Sequence, residues 1–223
     1  KRMMAGRHKL AERYKDRLEA GRRLAAELRH LRGQKDIVVL ALPRGGVPVA
    51  FPVAESLGAL LDVLVVRKLG VPGHEELAMG AVAAGGGRAI NQSVVVSLNL
   101  SPEDIAQVEA RERLELERRV KAYRGSKPWP PLEGRTVVLV DDGLATGASM
   151  KAALESVKNW RPAKVVVAVP VAPPETIEEI SLMADEVICP LTPPFFEAVG
   201  SWYEDFPQTS DEEVKDLLAR SGA

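Results

Sequence analysis

The segment 137–149, VVLVDDGLATGAS, decides the fold, because it joins an apolar run to two acids and a loop of small residues. Residues 137–140 are apolar at every position, which is typical of a strand buried on both faces of a parallel sheet. Ligands of such sheets bind at the carboxyl ends of the strands. Asp141 and Asp142 follow directly at that end. The segment therefore predicts an α/β domain whose ligand site includes this loop.

The loop after the two acids is suited to bind a phosphate. Its small residues leave the backbone amides accessible, and the residues that follow favour a helix, whose N-terminal amides and dipole attract anions. Carboxylates repel a phosphate, so hydroxyls or a divalent cation are the natural partners of the acids. These features together indicate that the ligand is a sugar phosphate. The predicted phosphate loop consists of Leu144, Ala145, Thr146, Gly147, Ala148 and Ser149.

The same stretch resembles the binding motif for phosphoribosyl pyrophosphate (PRPP) in type I phosphoribosyltransferases. That motif is an apolar strand, two acids, a short loop, then Thr-Gly and a small hydroxyl residue. The resemblance spans roughly residues 36–206 and implies an open, twisted parallel sheet flanked by helices, with a small C-terminal hood. It also implies that Asp141 and Asp142 hold the ribose hydroxyls, and through them substrate-borne magnesium, while residues 144–149 cradle the 5′-phosphate. An ordinary buried strand would explain the valines but not Asp-Asp before Thr-Gly.

A second candidate site follows the first predicted strand, where Arg44, Gly45 and Gly46 lead directly into a helix. Two glycines after an arginine let the backbone approach an anion, although Gly-Gly also occurs at ordinary strand-to-helix turns. In the family an analogous loop clasps the pyrophosphate. The resemblance implies that Arg44, Gly45 and Gly46 do so here, through a strained or cis peptide bond.

A third candidate is Arg67-Lys68, followed by a short segment rich in glycine and proline. We expect a mobile flap, because pyrophosphate departure creates an electron-poor carbon that must be shielded from water. The segment is similar to the Arg-Lys entry of the flexible loop in the orotate and adenine members, which implies that Arg67 and Lys68 bind pyrophosphate. It is short and has no second lysine, so the proton-handling group stays open. The flap candidates are His74, Glu75 and Glu76.

The fourth candidate is residues 195–206, which hold five of the ten aromatic residues of the chain. A flat acceptor base would favour aromatic faces and a carboxylate, whereas a hydrophobic plug at the end of the domain explains the composition equally well. The stretch is similar to the purine-recognising end of the hypoxanthine-guanine branch. The resulting hood candidates are Phe195, Trp202, Tyr203 and Asp205.

Charge is distributed unevenly along the chain. Residues 1–35 carry 12 basic and 4 acidic side chains, and residues 173–223 carry 2 basic and 12 acidic ones. The two ends could attract each other, or the basic end could bind nucleic acid. Leucines at helical spacing instead favour the solvated face of a docked helix, and the scarcity of interleaved aromatic residues argues against nucleic acid.

Length and composition agree with one enzyme-sized domain of 223 residues, 46% hydrophobic and 27% charged. No apolar run approaches the ~20 residues of a membrane span, so we expect a cytoplasmic protein without membrane partners. The single cysteine, Cys189, is expected in the core. The expected organisation is a helical extension over 1–35, a core over 36–184, and a hood segment with a last helix over 185–223.

The pattern of elements supports this organisation. Alternating apolar runs and helical spacings predict a βα succession, and Gly85-Gly86-Gly87 predicts a hairpin turn. We expect strands at 36–42, 61–67, 165–171 and 186–189, hairpin arms at 79–84 and 88–98, and helices at 47–57, 101–123, 148–160, 174–183 and from 211.

The function that the resemblance implies is a PRPP-dependent phosphoribosyltransferase of nucleotide metabolism, in the glycosyltransferase class. It would move 5-phosphoribose to a nitrogen of a nucleobase or similar small acceptor, with Mg²⁺ brought by the substrate and a homodimer as the expected assembly. The alternative is a regulator on the same fold that senses PRPP or a nucleotide without turnover. The catalytic candidates are Asp141, Asp142, Arg67 and Lys68.

Overall fold

The computed structural model describes residues 12–222, which form eight strands and seven α-helices. The strands are β1 (Ile37–Ala41), β2 (Leu60–Val63), β3 (Val66–Val71), β4 (His74–Ala83), β5 (Arg88–Ile90), β6 (Thr136–Val140), β7 (Lys164–Ala168) and β8 (Glu186–Ile188). The helices are α1 (Arg17–Glu27), α2 (Gly46–Leu57), α3 (Gln92–Ser97), α4 (Pro102–Arg124), α5 (Ala148–Asn159), α6 (Pro174–Ser181) and α7 (Asp211–Arg220).

The main sheet has five parallel strands in the order β2-β1-β6-β7-β8. At its carboxyl edge Ala41 is in register with both Val63 and Val140, and Val140 with Ala168. The loops that leave β1, β2, β6 and β7 therefore begin side by side. This confirms the predicted α/β fold with an open parallel sheet, and places the acid pair at the end of its central strand.

Both faces of this sheet are buried, as the uninterrupted apolar strands predicted. Alternate residues such as Val39 and Val138 pack with α1, α2 and α7, while Val38 and Leu139 pack with α5 and α6. None of the helices in residues 12–222 is both long and apolar enough to cross a bilayer.

The predicted strand over 61–67 is wrong, because the chain changes sheet within it. β2 ends at Val63, and β3 belongs to a separate three-stranded antiparallel sheet of order β3-β4-β5. Leu64 and Val65, which connect them, are 0% and 1% exposed. Apolar residues thus continue through the crossing, and a hydrophobic pattern cannot show that the strand partner changes.

The predicted mobile flap is largely a β-hairpin. β3 and β4 pair antiparallel, with only Pro72 and Gly73 between them. The hairpin is held because Leu69 and Met79 are buried together against Val108 of α4. The small residues that suggested a flexible loop instead form the tight turn.

The predicted hairpin arm over 88–98 is only partly correct. β5 pairs with β4 as expected but ends at Ile90. Asn91 then caps α3, its side chain accepting a hydrogen bond from the backbone N–H of Val94. An Asn N-cap is a common helix start, and the valines at 94–96 concealed it. The predicted start of α4 is confirmed by a reciprocal capping box between Ser101 and Asp104, with both bonds 3.0 Å.

Candidate functional site

Three of the sequence-predicted segments meet at the carboxyl edge of the main sheet, around a cavity of about 430 Å³. The cavity lies between the loop after β1, the hairpin sheet, α4 and the acid pair. Its lining includes residues from three predicted groups, namely Arg67 and Lys68, Glu75, and Asp141 and Ser149. The remaining lining residues are Leu42, Pro43, Val66, Gly70, Arg111 and Glu112.

The acid pair combines two carboxylates in a sparsely solvated position. The backbone N–H of Asp142 donates to Oδ1 of Asp141 at 2.8 Å. Burial raises the pKa of the Asp141 carboxyl well above its usual range, the charge of Asp142 raises it further, and Lys68 opposes this. The pKa of Asp142 is also raised by burial. Such a pair strongly favours partners that donate hydrogen bonds or carry positive charge.

The loop predicted to bind phosphate begins with a residue, Leu144, whose backbone amide already has a partner in the chain. The Leu144 backbone N–H donates to the Val171 carbonyl at 3.0 Å, and its side chain is buried. Gly147, the N-cap residue of α5, has a φ of +77° and no side chain to cap the helix, while the N–H of Ala148 donates to the Thr146 hydroxyl in a long bond of 3.4 Å. An anion can accept from the N–H groups of this first turn.

The glycines after β1 let α2 begin directly against the acid pair. A Cβ atom on Gly45 would lie 2.1 Å from Oδ2 of Asp142. The peptide bond between Pro43 and Arg44 is cis, as the resemblance implied. The Arg44 side chain extends toward α7, where it lies 3.8 Å from Asp211. Only the backbone of this segment is therefore placed next to the acids.

Helix α4 contributes two cavity residues that the sequence reasoning missed. Glu112 accepts from the guanidinium of Arg67 at 2.7 and 2.8 Å, and its own neighbour Arg111 lies 3.7 Å from it. Lys68 lines the same cavity. Arg111 and Glu112 stand among many other charged residues of α4, so the sequence does not reveal which face of this helix meets another element.

The flap candidates occupy different places in the hairpin. All three are exposed, and His74 pairs in register with Val71 beside the turn. Glu75 is the one of the three that lines the cavity shared with Lys68 and Asp141.

The hood is built from both ends of the described chain rather than from the C-terminal segment alone. Tyr14 forms a parallel bridge with Tyr203, and its N–H donates to the Trp202 carbonyl at 2.9 Å. The Tyr14 hydroxyl donates to the Pro170 carbonyl at 2.7 Å, and the Arg13 guanidinium donates to the Tyr203 carbonyl. The predicted helical extension and hood segment therefore pack as one unit over the sheet edge.

The predicted hood residues have distinct environments. Tyr203 is 1% exposed, and its hydroxyl donates to the Asp142 carbonyl at 2.6 Å. Trp202 is half-buried, whereas Phe195 is 89% exposed. Asp205 is exposed, and its N–H donates to the Lys15 carbonyl. The structure thus brings Tyr203 to the acid pair and leaves Phe195 on the surface.

Two further residues beside the acid pair were missed. The Nε atom of Arg17, at the start of α1, donates to Oδ2 of Asp142 at 3.0 Å. The guanidinium lies over the ring of Phe206, 3.8 Å from its centroid. The sequence placed Arg17 on the solvated face of a basic helix, and no local pattern distinguishes it from its basic neighbours.

The basic charges of the described N-terminal region are largely used within the chain. Arg23 pairs with Glu12 and Glu19 at 2.8 and 2.9 Å, and His30 pairs with Glu186 at 2.6 Å. The pairs of Arg23 lie within the N-terminal region itself, and His30–Glu186 joins that region to the acidic C-terminal part of the same subunit. Residues 1–11, which hold four of the basic side chains, lie outside the described part.

Comparison with known proteins gives consistent relatives. Residues 11–205 match the family model of the phosphoribosyl transferase domain. A Mycobacterium tuberculosis H37Rv protein named as a phosphoribosyl transferase is 50% identical over 208 residues, which are 93% of this chain and 47% of the relative. The chain therefore spans about half the length of the curated relatives that it matches.

Solved structures show the same architecture. The crystal structure of TT1426 from Thermus thermophilus is 45% identical, with a TM-score of 0.77 over 93% of this chain and 98% of that chain. The AQ2163 protein from Aquifex aeolicus is 16% identical, with a TM-score of 0.53 over 91% and 84% of the two chains, and shares the fold.

Proposed function

Because this chain belongs to the phosphoribosyl transferase family, we propose that it transfers 5-phosphoribose from PRPP to a nitrogen of a nucleobase or similar small acceptor, releasing pyrophosphate. The observation that carries this proposal is the convergence of the acid pair, the first turn of α5 and the Arg67-Lys68 pair at one sheet edge. The cavity there contains the cations and the carboxylates that this substrate needs. The proposed site is therefore assembled from the loop between β6 and α5, the first turn of α5 and strand β3.

The ribose phosphate is proposed to bind between the acids and α5. The amides at the start of α5 and the hydroxyls of Thr146 and Ser149 would hold the 5′-phosphate, with the helix dipole adding to the attraction. Asp141 and Asp142 would accept hydrogen bonds from the ribose hydroxyls. Both roles need short side chains after the acids, and the loop has them. The two groups of ligands would thus hold opposite ends of one sugar.

The leaving pyrophosphate is proposed to lie toward Lys68, Arg67 and the backbone of residues 44–46. Cations placed where charge accumulates lower the barrier more than they strengthen substrate binding, since that charge is largest in the transition state. The glycines at 45 and 46 allow the backbone to approach closely. Magnesium enters this scheme as part of the PRPP substrate, where it neutralises pyrophosphate charge, and the carboxylate-lined cavity suits a hard cation.

The acceptor site is proposed under the hood, near Trp202 and Tyr203. Glu75 is the flap residue best placed to handle a proton, since it lines the cavity. The homodimer and the cytoplasmic location expected from the sequence stay predictions.

The decisive experiment measures pyrophosphate release from PRPP and magnesium in the presence of adenine, guanine, hypoxanthine, xanthine, uracil or orotate. Wild type is expected to turn over at least one of them, and Asp141→Asn to lose the activity while remaining folded. Asp36→Asn is the matched control, because Asp36 is an exposed acid immediately before β1, at the opposite edge of the sheet. Full activity in Asp141→Asn would refute the site.

The same experiment separates the enzyme from the PRPP-sensing regulator. A regulator would bind PRPP in calorimetry, with Asp141→Asn abolishing the heat, yet release no pyrophosphate with any acceptor. The internal pairing of Arg13, Arg17 and Arg23 weighs against a nucleic-acid surface in the described N-terminal region.

A further inference from the structure

The side chain of Arg17 forms a largely buried ion pair with Asp142. Its Nε donates to Oδ2 of Asp142 at 3.0 Å, and the two side chains are only 11% and 16% exposed. An ion pair this sparsely solvated is much less screened than a surface pair. Arg17 therefore acts on Asp142 strongly enough to influence what that carboxylate binds.

Arg17 is itself held in place from two further sides. Its guanidinium lies 3.8 Å from the centroid of the Phe206 ring, and its Nη1 atom donates to the Pro207 carbonyl. The ring of Phe206 in turn packs on Tyr203, with centroids 4.8 Å apart. Since Tyr203 donates to the Asp142 carbonyl, the backbone and the carboxylate of Asp142 are held by one cluster. This arrangement orients Arg17 before any ligand arrives.

We propose that Arg17 is a positioning residue, clamped between Phe206 and Asp142, that sets the orientation and charge of the Asp142 carboxylate for the ribose hydroxyls. The role of Asp142 in holding ribose rests on the proposed function, whereas the contact between Arg17 and Asp142 does not. Arg17 touches Asp142 and not the proposed substrate, so it acts through the carboxylate. A residue from the N-terminal extension would then be part of a site otherwise built from the sheet edge.

The physical reason is the cost of placing two like charges side by side in a poorly solvated site. The groups facing the Asp142 carboxylate and its neighbour are Arg17 from α1, Asp141 from the same loop, the Tyr203 hydroxyl from the hood, and Lys68 from β3, which faces Asp141. Burial raises the pKa of Asp142 and Arg17 lowers it. Without Arg17 the acid would bind a proton at higher pH and accept hydroxyl protons less well.

The first test requires no substrate. The carboxyl carbon of Asp142, assigned with Asp142→Asn, is followed by ¹³C NMR across pH in wild type and in Arg17→Gln. Each unit by which the pKa rises leaves the ionised form about tenfold scarcer well below that pKa. We expect the Asp142 titration to move to higher pH in Arg17→Gln, because the charge of Arg17 lowers the pKa of this carboxyl. An unmoved titration would overturn the inference whether or not PRPP is the ligand.

The second test measures PRPP affinity by calorimetry at a series of pH values. Arg17→Gln should bind PRPP about tenfold or more weakly at the acidic end of the series, and the difference in affinity from wild type should narrow as the pH rises and Asp142 ionises. Arg17→Lys keeps the charge without the planar stack, and should recover much of the pH profile. A pH-independent loss in Arg17→Gln, unrelieved by lysine, would indicate a structural role alone.

Two further variants serve as a control and as a second test. Arg23→Gln is the matched control, because Arg23 lies on the same helix, 5.1 Å from the centroid of the Tyr14 ring, and its ion pairs within residues 12–222 are with Glu12 and Glu19. It should leave PRPP affinity within about twofold of wild type, since exposed pairs contribute little. Phe206→Leu removes the stacked ring but leaves Arg17 in place. It serves as the second variant if Arg17→Gln folds poorly, and it should move the Asp142 titration in the same direction by a smaller amount.

Failure of the inference and failure of the proposed function give different results. If wild type binds no PRPP at any pH, the proposed function is wrong, and the NMR titration still decides the role of Arg17. If wild type binds PRPP and Arg17→Gln binds it equally well at every pH, the positioning role is wrong and the function stands.

Discussion

Replacing Gly45 with alanine tests whether α2 and the acid pair are as closely packed as the structure shows. The added Cβ would lie 2.1 Å from Oδ2 of Asp142, whereas ordinary contacts begin near 3.4 Å, so the carboxylate must retreat by about 1.3 Å. That movement breaks its bond to Arg17. Overpacking of this kind costs about 1–3 kcal/mol of unfolding free energy.

Removing the carboxylate removes the contacts at 2.1 and 2.9 Å and leaves the Nε atom of Arg17 at 3.2 Å, so a double-mutant cycle isolates the clash with Asp142. Gly45 has φ −62° and ψ −27°, a conformation that alanine adopts easily. In an Asp142→Ala background, Gly45→Ala should therefore be neutral or stabilise by up to about 1 kcal/mol, because alanine restricts the unfolded chain. Urea unfolding of the four proteins gives the coupling energy, expected at about 1–4 kcal/mol. Equal costs in both backgrounds would show that the glycine is not needed for the approach of α2 to Asp142.

Four further outcomes are expected. Asp141→Asn should be more stable than wild type at neutral pH while losing PRPP binding, because burial raises the pKa of the native carboxyl; the advantage should shrink toward pH 4 and below in urea unfolding, as the acid becomes protonated in both states. Lys68→Ala should lower kcat by about a hundredfold with little change in KM, since its charge acts on the departing pyrophosphate; a change in KM alone would place it in ground-state binding. Arg124→Met should lower the unfolding free energy by about 3–5 kcal/mol, because Arg124 is 6% exposed and the substitution removes the ion-pair partner that Asp62 has at 2.9 and 3.0 Å; a loss below about 1 kcal/mol would contradict this. Burial raises the pKa of Cys189 to about 12, so Ellman's reagent should label it slowly in native protein at pH 8 and rapidly in urea; fast native labelling would show the thiol to be open.

The central strands and the loop between β6 and α5 could be predicted because local patterns determine them. The uninterrupted valines at 137–140 require burial on both faces, and the small residues after Asp142 require a turn into a helix. The carboxyl ends of parallel strands then bring Asp141 beside the loop after β1 without any knowledge of distant contacts. The cis peptide at Arg44 came from the family resemblance and could not have come from composition.

The rest depended on contacts between residues far apart in the sequence. Leu64 and Val65 are as apolar as the strands they join, so the change of sheet left no signal in the pattern. The sequence did not distinguish Glu112 or Arg17 from the other charged residues of their helices, because such a residue looks the same whether it meets solvent or a buried partner. The Leu144 amide was assigned to phosphate, yet its bond to Val171 depends on a strand end that the loop sequence cannot reveal.

The pairing of Tyr14 with Tyr203 constrains the order in which parts of the chain can fold during synthesis. The sheet from β1 to β7 can form as soon as those residues leave the ribosome, but the cluster around Asp142 requires a partner translated 189 positions after Tyr14. Closing so distant a contact is slow relative to local pairing. The acid pair thus stays accessible to water in a nascent chain until the late arrival of the second tyrosine completes its cover.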